Sequence, residues 1–198
     1  MSSAESDQAS LGAEERAELL RLARESIRYG LRNGTPLPVQ PAEFPQELKR
    51  IGASFVTLEE RGELRGCIGH LEGVQPLVVD VVENAYNAAF RDPRFPSLRE
   101  DELAAIDIQV SILSPPKPVS FRSEADLLAK LRPGIDGLIL EDDSHRGTFL
   151  PSVWDSLPEP GQFFTHLKLK AGLAANHWSD RIRVSRYTTE SFGERTPS

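Results

Sequence analysis

Four β-branched residues, Ile106, Ile108, Val110 and Ile112, alternate with Asp107, Gln109 and Ser111. A two-residue period this regular puts one apolar face against a core and one polar face away from it. The segment is therefore committed to a strand in a sheet covered on one side, an arrangement typical of antiparallel sheets. Two more short strands are predicted over residues 54–58 and 63–68, with Glu59-Glu60-Arg61-Gly62 as the hairpin turn between them. Pro115, Pro116 and Pro118 end the alternating run, because proline has no N–H for a ladder.

The helices follow from apolar spacing. Leu20, Ala23, Ile27 and Leu31 predict a helix over 13–31, ended by Asn33-Gly34, which suits a left-handed C-terminal position. Four prolines, Pro36, Pro38, Pro41 and Pro45, then force an extended connector. A second helix is predicted over 77–90. Leu77, Val78, Val81, Val82, Ala85, Ala88 and Ala89 give it a wide apolar face, and Asp80, Glu83, Asn84 and Asn87 a narrow polar stripe.

The second half repeats the order: a helix over 123–131, a strand over 135–140, a turn at 142–145, a return over 146–150, a helix over 161–174 and a last strand over 181–187. Arg65-Gly66-Cys67-Ile68 sits in its hairpin as Arg146-Gly147-Thr148-Phe149 sits in the other. Ile182-Arg183-Val184-Ser185 echoes Ile108-Gln109-Val110-Ser111. Internal duplication and chance both fit matches this short. The expected fold class is α+β and mostly antiparallel. Two related lobes, about 50–113 and 119–188, lie in a single domain over 13–192, after a disordered N-terminus at 1–12 and before a tail at 193–198.

Composition narrows the function. Acidic residues outnumber basic ones by 30 to 23 over 198 residues, for a net charge of −7, which argues against a general nucleic-acid binder. A single cysteine, Cys67, excludes an internal disulfide and a cysteine-based zinc cluster. No apolar run reaches membrane-spanning length and no secretory signal is visible, so a cytoplasmic location is expected. There is no phosphate-binding Walker loop, dinucleotide fingerprint, HExxH or GxSxG.

The densest constellation is Leu64-Arg65-Gly66-Cys67-Ile68-Gly69. Unbroken alternation would put Arg65 and Cys67 on one face. The guanidinium would then favour the thiolate, and the amides around Gly66 and Gly69 would hold developing negative charge. The bland alternative is that Cys67 is a small buried hydrophobe. Cys67-x-x-His70 is only half a metal site; His145, His166 and His177 read as solvated, covering and loop residues. Asp92, Arg94 and Phe95 follow the second helix in a loop able to bind an anion, or simply to pair with itself. Lys168, Lys170, Arg181, Arg183 and Arg186 form a basic stripe, either a solvated face or a surface for phosphate or an acidic protein.

Together with Asp92-Pro93-Arg94-Phe95-Pro96, Ile108-Gln109-Val110-Ser111-Ile112-Leu113, Leu167-Lys168-Leu169-Lys170-Ala171-Gly172-Leu173 and the closing Arg186-Tyr187 and Glu190-Ser191-Phe192, the hexapeptide resembles the AMMECR family, which includes the AmmeMemoRadiSam system protein A. The resemblance runs over about residues 13–192. It implies an α+β fold of two related lobes. It also implies the company of a Memo-like protein, similar to extradiol dioxygenases, and of a radical SAM protein. It supplies no reaction. Cys67 occupies the family's motif cysteine, which is suspected of being functional. His70 stands where many relatives are expected to carry a small hydroxyl residue, so the Cys67/His70 pair is not expected to be general machinery.

The expected role is thus a component of a small-molecule or modification pathway, with the hexapeptide as its active or binding site. Cys67 is the candidate nucleophile, and Arg65, Gly66, Gly69, Asn84, Asp92 and Arg94 are candidate binding residues. No metal or cofactor is implied. The alternative is a non-catalytic protein-binding adaptor, with nucleic-acid binding a distant third.

Overall fold

The computed structural model of the chain describes residues 10–195. In chain order its elements are α1 (Ala13–Asn33), α2 (Gln46–Lys49), β1 (Ile51–Glu60), β2 (Glu63–Gly69), β3 (Gln75–Pro76), α3 (Leu77–Phe90), β4 (Ile106–Leu113), β5 (Lys117–Pro118), α4 (Glu124–Lys130), β6 (Gly137–Asp142), β7 (His145–Phe149), α5 (Pro160–Lys170), β8 (Arg183–Tyr187) and β9 (Thr189–Gly193). The fold is α+β with antiparallel sheets. The chain divides into two compact units: one runs to Leu113 and resumes at Glu190, and the other is Ser114–Thr189. Among the described residues no helix is long and apolar enough to cross a membrane.

In the first unit the sheet order is β2-β1-β4-β9, with β3 against the start of β1. Leu58 stands opposite Ile108 and Val56 opposite Val110, so both strands put their β-branched and leucine side chains into one core. α3 lies against β1 and β2, and α1 packs on α3. Sandwiched in this way, α3 is buried nearly all round, and even Asp80 and Asn84 are fully covered. α1 commits one face, with Leu19, Leu22, Ala23 and Ile27 buried. Gly34, at φ 70°, closes it by donating its N–H to Gly30 O at 2.9 Å.

The β1–β2 turn narrows to Arg61 and Gly62, at φ 55° and 83°, the two positive values a tight primed turn requires. Glu59 then pairs with Leu64, and Leu58 with Gly66. Arg65 is left over as the extra residue of a β-bulge. Unbroken alternation from Arg65 to Cys67 therefore does not hold. After the bulge Ile68 packs against the core, while Cys67 pairs across the strands with Thr57.

The second unit has the sheet order β5-β8-β6-β7. Leu138, Leu140 and Val184 meet Leu127, Phe163, Phe164 and Leu167 in its core, where Trp154 stacks on Phe163 with centroids 3.7 Å apart. α5 ends at Lys170 rather than 174, because the chain turns at Gly172, with φ +84°. β8 begins at Arg183, two residues later than its alternation predicts.

Each unit holds a hairpin, a helix and a strand antiparallel to the hairpin's first strand. The registers give the equivalence. Leu58 faces Gly66 and Ile108 in one unit, and Leu140 faces Gly147 and Val184 in the other. The hairpin match is therefore in register, with Cys67 in the place of Thr148. The strand echo is displaced by two, since Val184 answers Ile108 and not Val110. Both glycines let a helix approach. A Cβ on Gly66 would run into the Ala88 carbonyl, and one on Gly147 would come within 2.9 Å of the Ala171 side chain.

Both ends of the expected domain move outward. Residues 1–9 of the expected disordered lead, and 196–198 of the expected tail, lie outside the described residues. Leu11 is buried and Ser10 donates to Glu190 at 3.0 Å. Glu194 takes two bonds from Arg24, both 2.6 Å, and accepts the Ile108 N–H at 2.9 Å. These residues are built into the first unit because β9 covers the open side of β4.

Candidate functional site

β2 is an edge strand, so one row of its N–H and C=O groups has no strand to pair with. Thr57 and Cys67 face each other across the ladder, with Thr57 Oγ1 3.3 Å from Cys67 Sγ. The outward backbone groups of Cys67 are met by side chains. Its N–H donates to Asp92 Oδ2 at 2.9 Å, and its carbonyl accepts from Arg94 Nη2 at 3.4 Å. Asp92 and Arg94 are locked together through Nε at 3.0 Å and Nη2 at 2.7 Å, and the Arg94 N–H donates to Asp92 Oδ1 at 3.1 Å. This pair does the work of one more strand residue at Cys67, which is how a loop can protect a sheet edge.

The charges around the pair are uneven. The Asp92 side chain is 2% exposed and that of Arg94 is 55% exposed. The Arg94 guanidinium holds the Asp92 carboxyl well below the usual carboxylate range, and the N–H groups of Cys67 and Arg94 add to the effect. The same pair raises Arg94, with a smaller electrostatic contribution from Cys67. Cys67 itself is half-buried.

Arg65 is not free to serve the thiol. Its Nε and Nη2 donate to Glu102 at 2.9 and 3.2 Å, and this holds Glu102 below its usual range. The pair is mostly buried, at 9% and 16% side-chain exposure. The third guanidinium nitrogen, Nη1, is buried and has no hydrogen-bond partner among the described residues. Phe95 lies under both cations, 6.0 Å from the Arg65 guanidinium carbon and 5.4 Å from that of Arg94. Gly66 faces α3. Gly69 is pressed on β1, where a Cβ would meet the Ser54 carbonyl and the Phe55 ring.

Asn84 belongs to a second cluster. Asp80, 0% exposed, accepts from the Ser54 N–H (2.8 Å), Ser54 Oγ (2.6 Å) and Asn84 Nδ2 (2.9 Å). His70 Nδ1 lies 2.7 Å from the other Asp80 oxygen. The backbone N–H of His70 and Asn84 Nδ2 both donate to the Ser54 carbonyl, and Asn84 Oδ1 is buried with no partner among the described residues. The polar stripe of α3 thus turns toward β1, where it meets Ser54 and His70. Thr57, Ser54, Asp80 and Glu102 are not evident as site residues from sequence. One signal for them exists, the Asp80/Asn84 pair at i and i+4 inside an otherwise apolar helix. Among the described residues, no group of three or more His, Cys, Asp or Glu side chains is arranged to hold a metal ion.

Most of the basic stripe is engaged. Lys168 is 1% exposed and pairs with Glu124 at 3.1 Å. Lys170 donates to Thr148 O at 2.9 Å. Arg181 meets Asp142 and Asp143 at 3.6 and 3.2 Å, and Arg186 reaches Asp136 at 3.8 Å. Arg183 is exposed and has no side-chain partner among the described residues. His177 Nε2 lies 2.6 Å from Asp142, which it holds below the usual range with help from Ser179.

A family model described as AMMECR1 matches residues 20–192. A protein of Methanothermobacter thermautotrophicus is 39% identical over 192 residues, covering 94% of this chain and 97% of its own. A protein of Thermofilum pendens is 38% identical, covering 94% and 93%. The crystal structure of the uncharacterised protein PH0010 from Pyrococcus horikoshii is similar with a TM-score of 0.85 and 32% identity, over 94% of this chain and 95% of that one. With the matched family model spanning most of the chain, and relatives this similar along nearly their whole length, the chain belongs to the AMMECR1 family.

Proposed function

We propose that the β2 edge at residues 64–69 is the working site of this protein. It presents Cys67 as a reactive thiol within a small-molecule or modification pathway, in the company of Memo-like and radical SAM partners. The observation that carries this reading is the Asp92–Arg94 clamp. An ion pair with a buried carboxylate and an exposed guanidinium grips Cys67 by its own N–H and C=O, while the residue itself is only half-buried. A thiol pinned in this way has little orientational freedom to lose when a reactant arrives. Asp92 balances the charge of Arg94, but Nη1 of this exposed guanidinium has no hydrogen bond among the described residues and can donate to an anionic group.

The test is the alkylation of Cys67 by iodoacetamide across pH, in native and in denatured protein, with Cys67→Ser as blank. The reading expects native protein to react at a rate comparable to or above that of the unfolded chain. Reaction only after unfolding would overturn it.

One observation favours a second reading, a binding module without catalysis. Cys67 Sγ has Thr57 Oγ1 as its hydrogen-bond partner, and among the described residues no proton acceptor of the histidine or carboxylate kind bonds it. A nucleophile ordinarily has such a base. Under this reading, capture of the Memo-like or radical SAM partner survives Cys67→Ala and is lost in Leu64→Glu, whose parent side chain is 44% exposed on the same strand. Loss of capture in Cys67→Ala, with Leu64→Glu unaffected, would dismiss it.

A further inference from the structure

The second unit carries a cleft that has no part in the reading above. It is open, encloses about 640 Å³, and is lined by residues 118–122, 178–180 and 182–185, and by Glu141. That volume falls within the range of about 300–1,000 Å³ typical of small-molecule sites.

The proline cluster explains why the cleft exists. β5 is only Lys117–Pro118, paired with Arg186 and Ser185, and the last backbone bond along this edge runs from Val119 N to Val184 O at 2.8 Å. Beyond it the chain leaves β8 and enters α4, so the start of β8 has no strand neighbour on that side.

The lining is selective. Phe121 and Trp178 form a tilted aromatic pair with centroids 5.7 Å apart, and both are half-buried. The Trp178 indole N–H has no acceptor among the described residues, whereas Trp154, the chain's other tryptophan, donates to Asp136 O at 2.7 Å. Arg183 lines the same cleft with an unpartnered guanidinium. Arg122 adds a second, 93% exposed and held only loosely by Asp126 at 3.7 Å. Two carboxylates offset these cations in part. Glu141 is engaged by Arg146 at 3.7 Å, and Asp180 is exposed. The unspent groups are therefore mostly donors, beside an aromatic wall.

We infer that this cleft binds a planar ring compound carrying a phosphate or carboxylate, with the ring against Phe121 and Trp178 and the anion on Arg183. Guanidinium forks suit such anions, and aromatic faces suit flat rings. The inference stands whether or not Cys67 reacts.

Tryptophan fluorescence reads it directly, because Trp154 is 3% exposed and stacked on Phe163, which leaves Trp178 as the accessible reporter. Three probes are titrated into the intact protein: adenosine 5′-monophosphate, adenosine and inorganic phosphate. The expected result is saturable quenching by the nucleotide, at least about tenfold tighter than for adenosine or phosphate alone, since only the nucleotide uses both walls. Arg183→Ala should reduce nucleotide affinity to the level of adenosine, Arg183→Lys should fall between, and Arg21→Ala, an exposed residue of α1, should change nothing. Arg183 is an exposed side chain, so its variants keep the fold; urea unfolding checks this. The inference is overturned by no saturation up to about 10 mM nucleotide, by equal affinity for nucleotide and adenosine or for nucleotide and phosphate, or by unchanged affinity in Arg183→Ala.

Discussion

Asp80 and Gly66 show two ways in which one residue can be irreplaceable. Asp80 satisfies the Ser54 N–H, the Ser54 hydroxyl and the Asn84 amide at a site with no water access of its own. Asp80→Ala strands these donors in the core and should lower the unfolding free energy by at least about 3 kcal/mol in urea titration. His70→Ala removes a partly exposed partner and should cost only about 1 kcal/mol. Gly66 is a matter of space. Gly66→Ala pushes a methyl into the backbone carbonyl of Ala88, which cannot rotate aside, and should cost about 1–3 kcal/mol. Gly147→Ala meets the equally rigid Cβ, Cα and N of Ala171, but at 2.9–3.1 Å, a looser clash that should cost less. Asp92 adds a pH signature. Its folded pKa is lowered, so its contribution is full above the unfolded value near 3.9 and lost as pH falls below it. The stability gap between wild type and Asp92→Asn should hold steady from pH 7 to about pH 5 and then shrink on further acidification. Equal gaps at pH 7 and at about pH 3 would show that the clamp contributes no charge effect.

At the scale of elements, legibility followed the range of the forces involved. The alternation at Ile106, Ile108, Val110 and Ile112 and the helical spacing along α1 depend on near neighbours, and β4 and α1 form where that local pattern predicts. The bulge at Arg65 is a two-strand property, so one strand's sequence gives no warning that the pleat breaks there. The clamp on Cys67 joins residues 25 positions apart. The motif loop was legible as charged, but not as the protector of a strand edge. Likewise the polar stripe of α3 is legible from its spacing, but its partners Ser54 and His70 are not, because they lie on β1 and just beyond β2. β8 carries its own titration. Tyr187 is pushed up to about 12, first by burial, with the Thr148 hydroxyl pulling slightly the other way. A raised folded value means the contribution is full below the unfolded pKa near 10 and lost as pH climbs from about 10 to about 12. Part of the alkaline loss of stability should vanish in Tyr187→Phe, followed by near-ultraviolet absorbance and urea midpoints.

For the whole molecule, the decisive fact is that the first unit is made of two stretches of chain. The sheet's last strand, β9, comes after the second unit has been completed. A chain ending at Thr188 would lose β9, the Glu194 partner of Arg24 and the Ser111–Ser191 hydroxyl pair at 2.7 Å. Its Tm should fall by roughly 10 °C, taking a loss of about 3 kcal/mol and about 2–4 °C per kcal/mol for a chain of this size. An unchanged Tm would mean that β9 is dispensable. The same arrangement acts on the ribosome. At about 5–20 residues per second, synthesis of Ser114–Thr189 takes on the order of 4–15 s. Throughout that interval β4 has been made but its closing strand has not, so the nascent chain carries an open sheet edge that invites pairing with a neighbouring nascent chain. Translation speed through the second unit therefore sets how long each new molecule carries that unpaired edge.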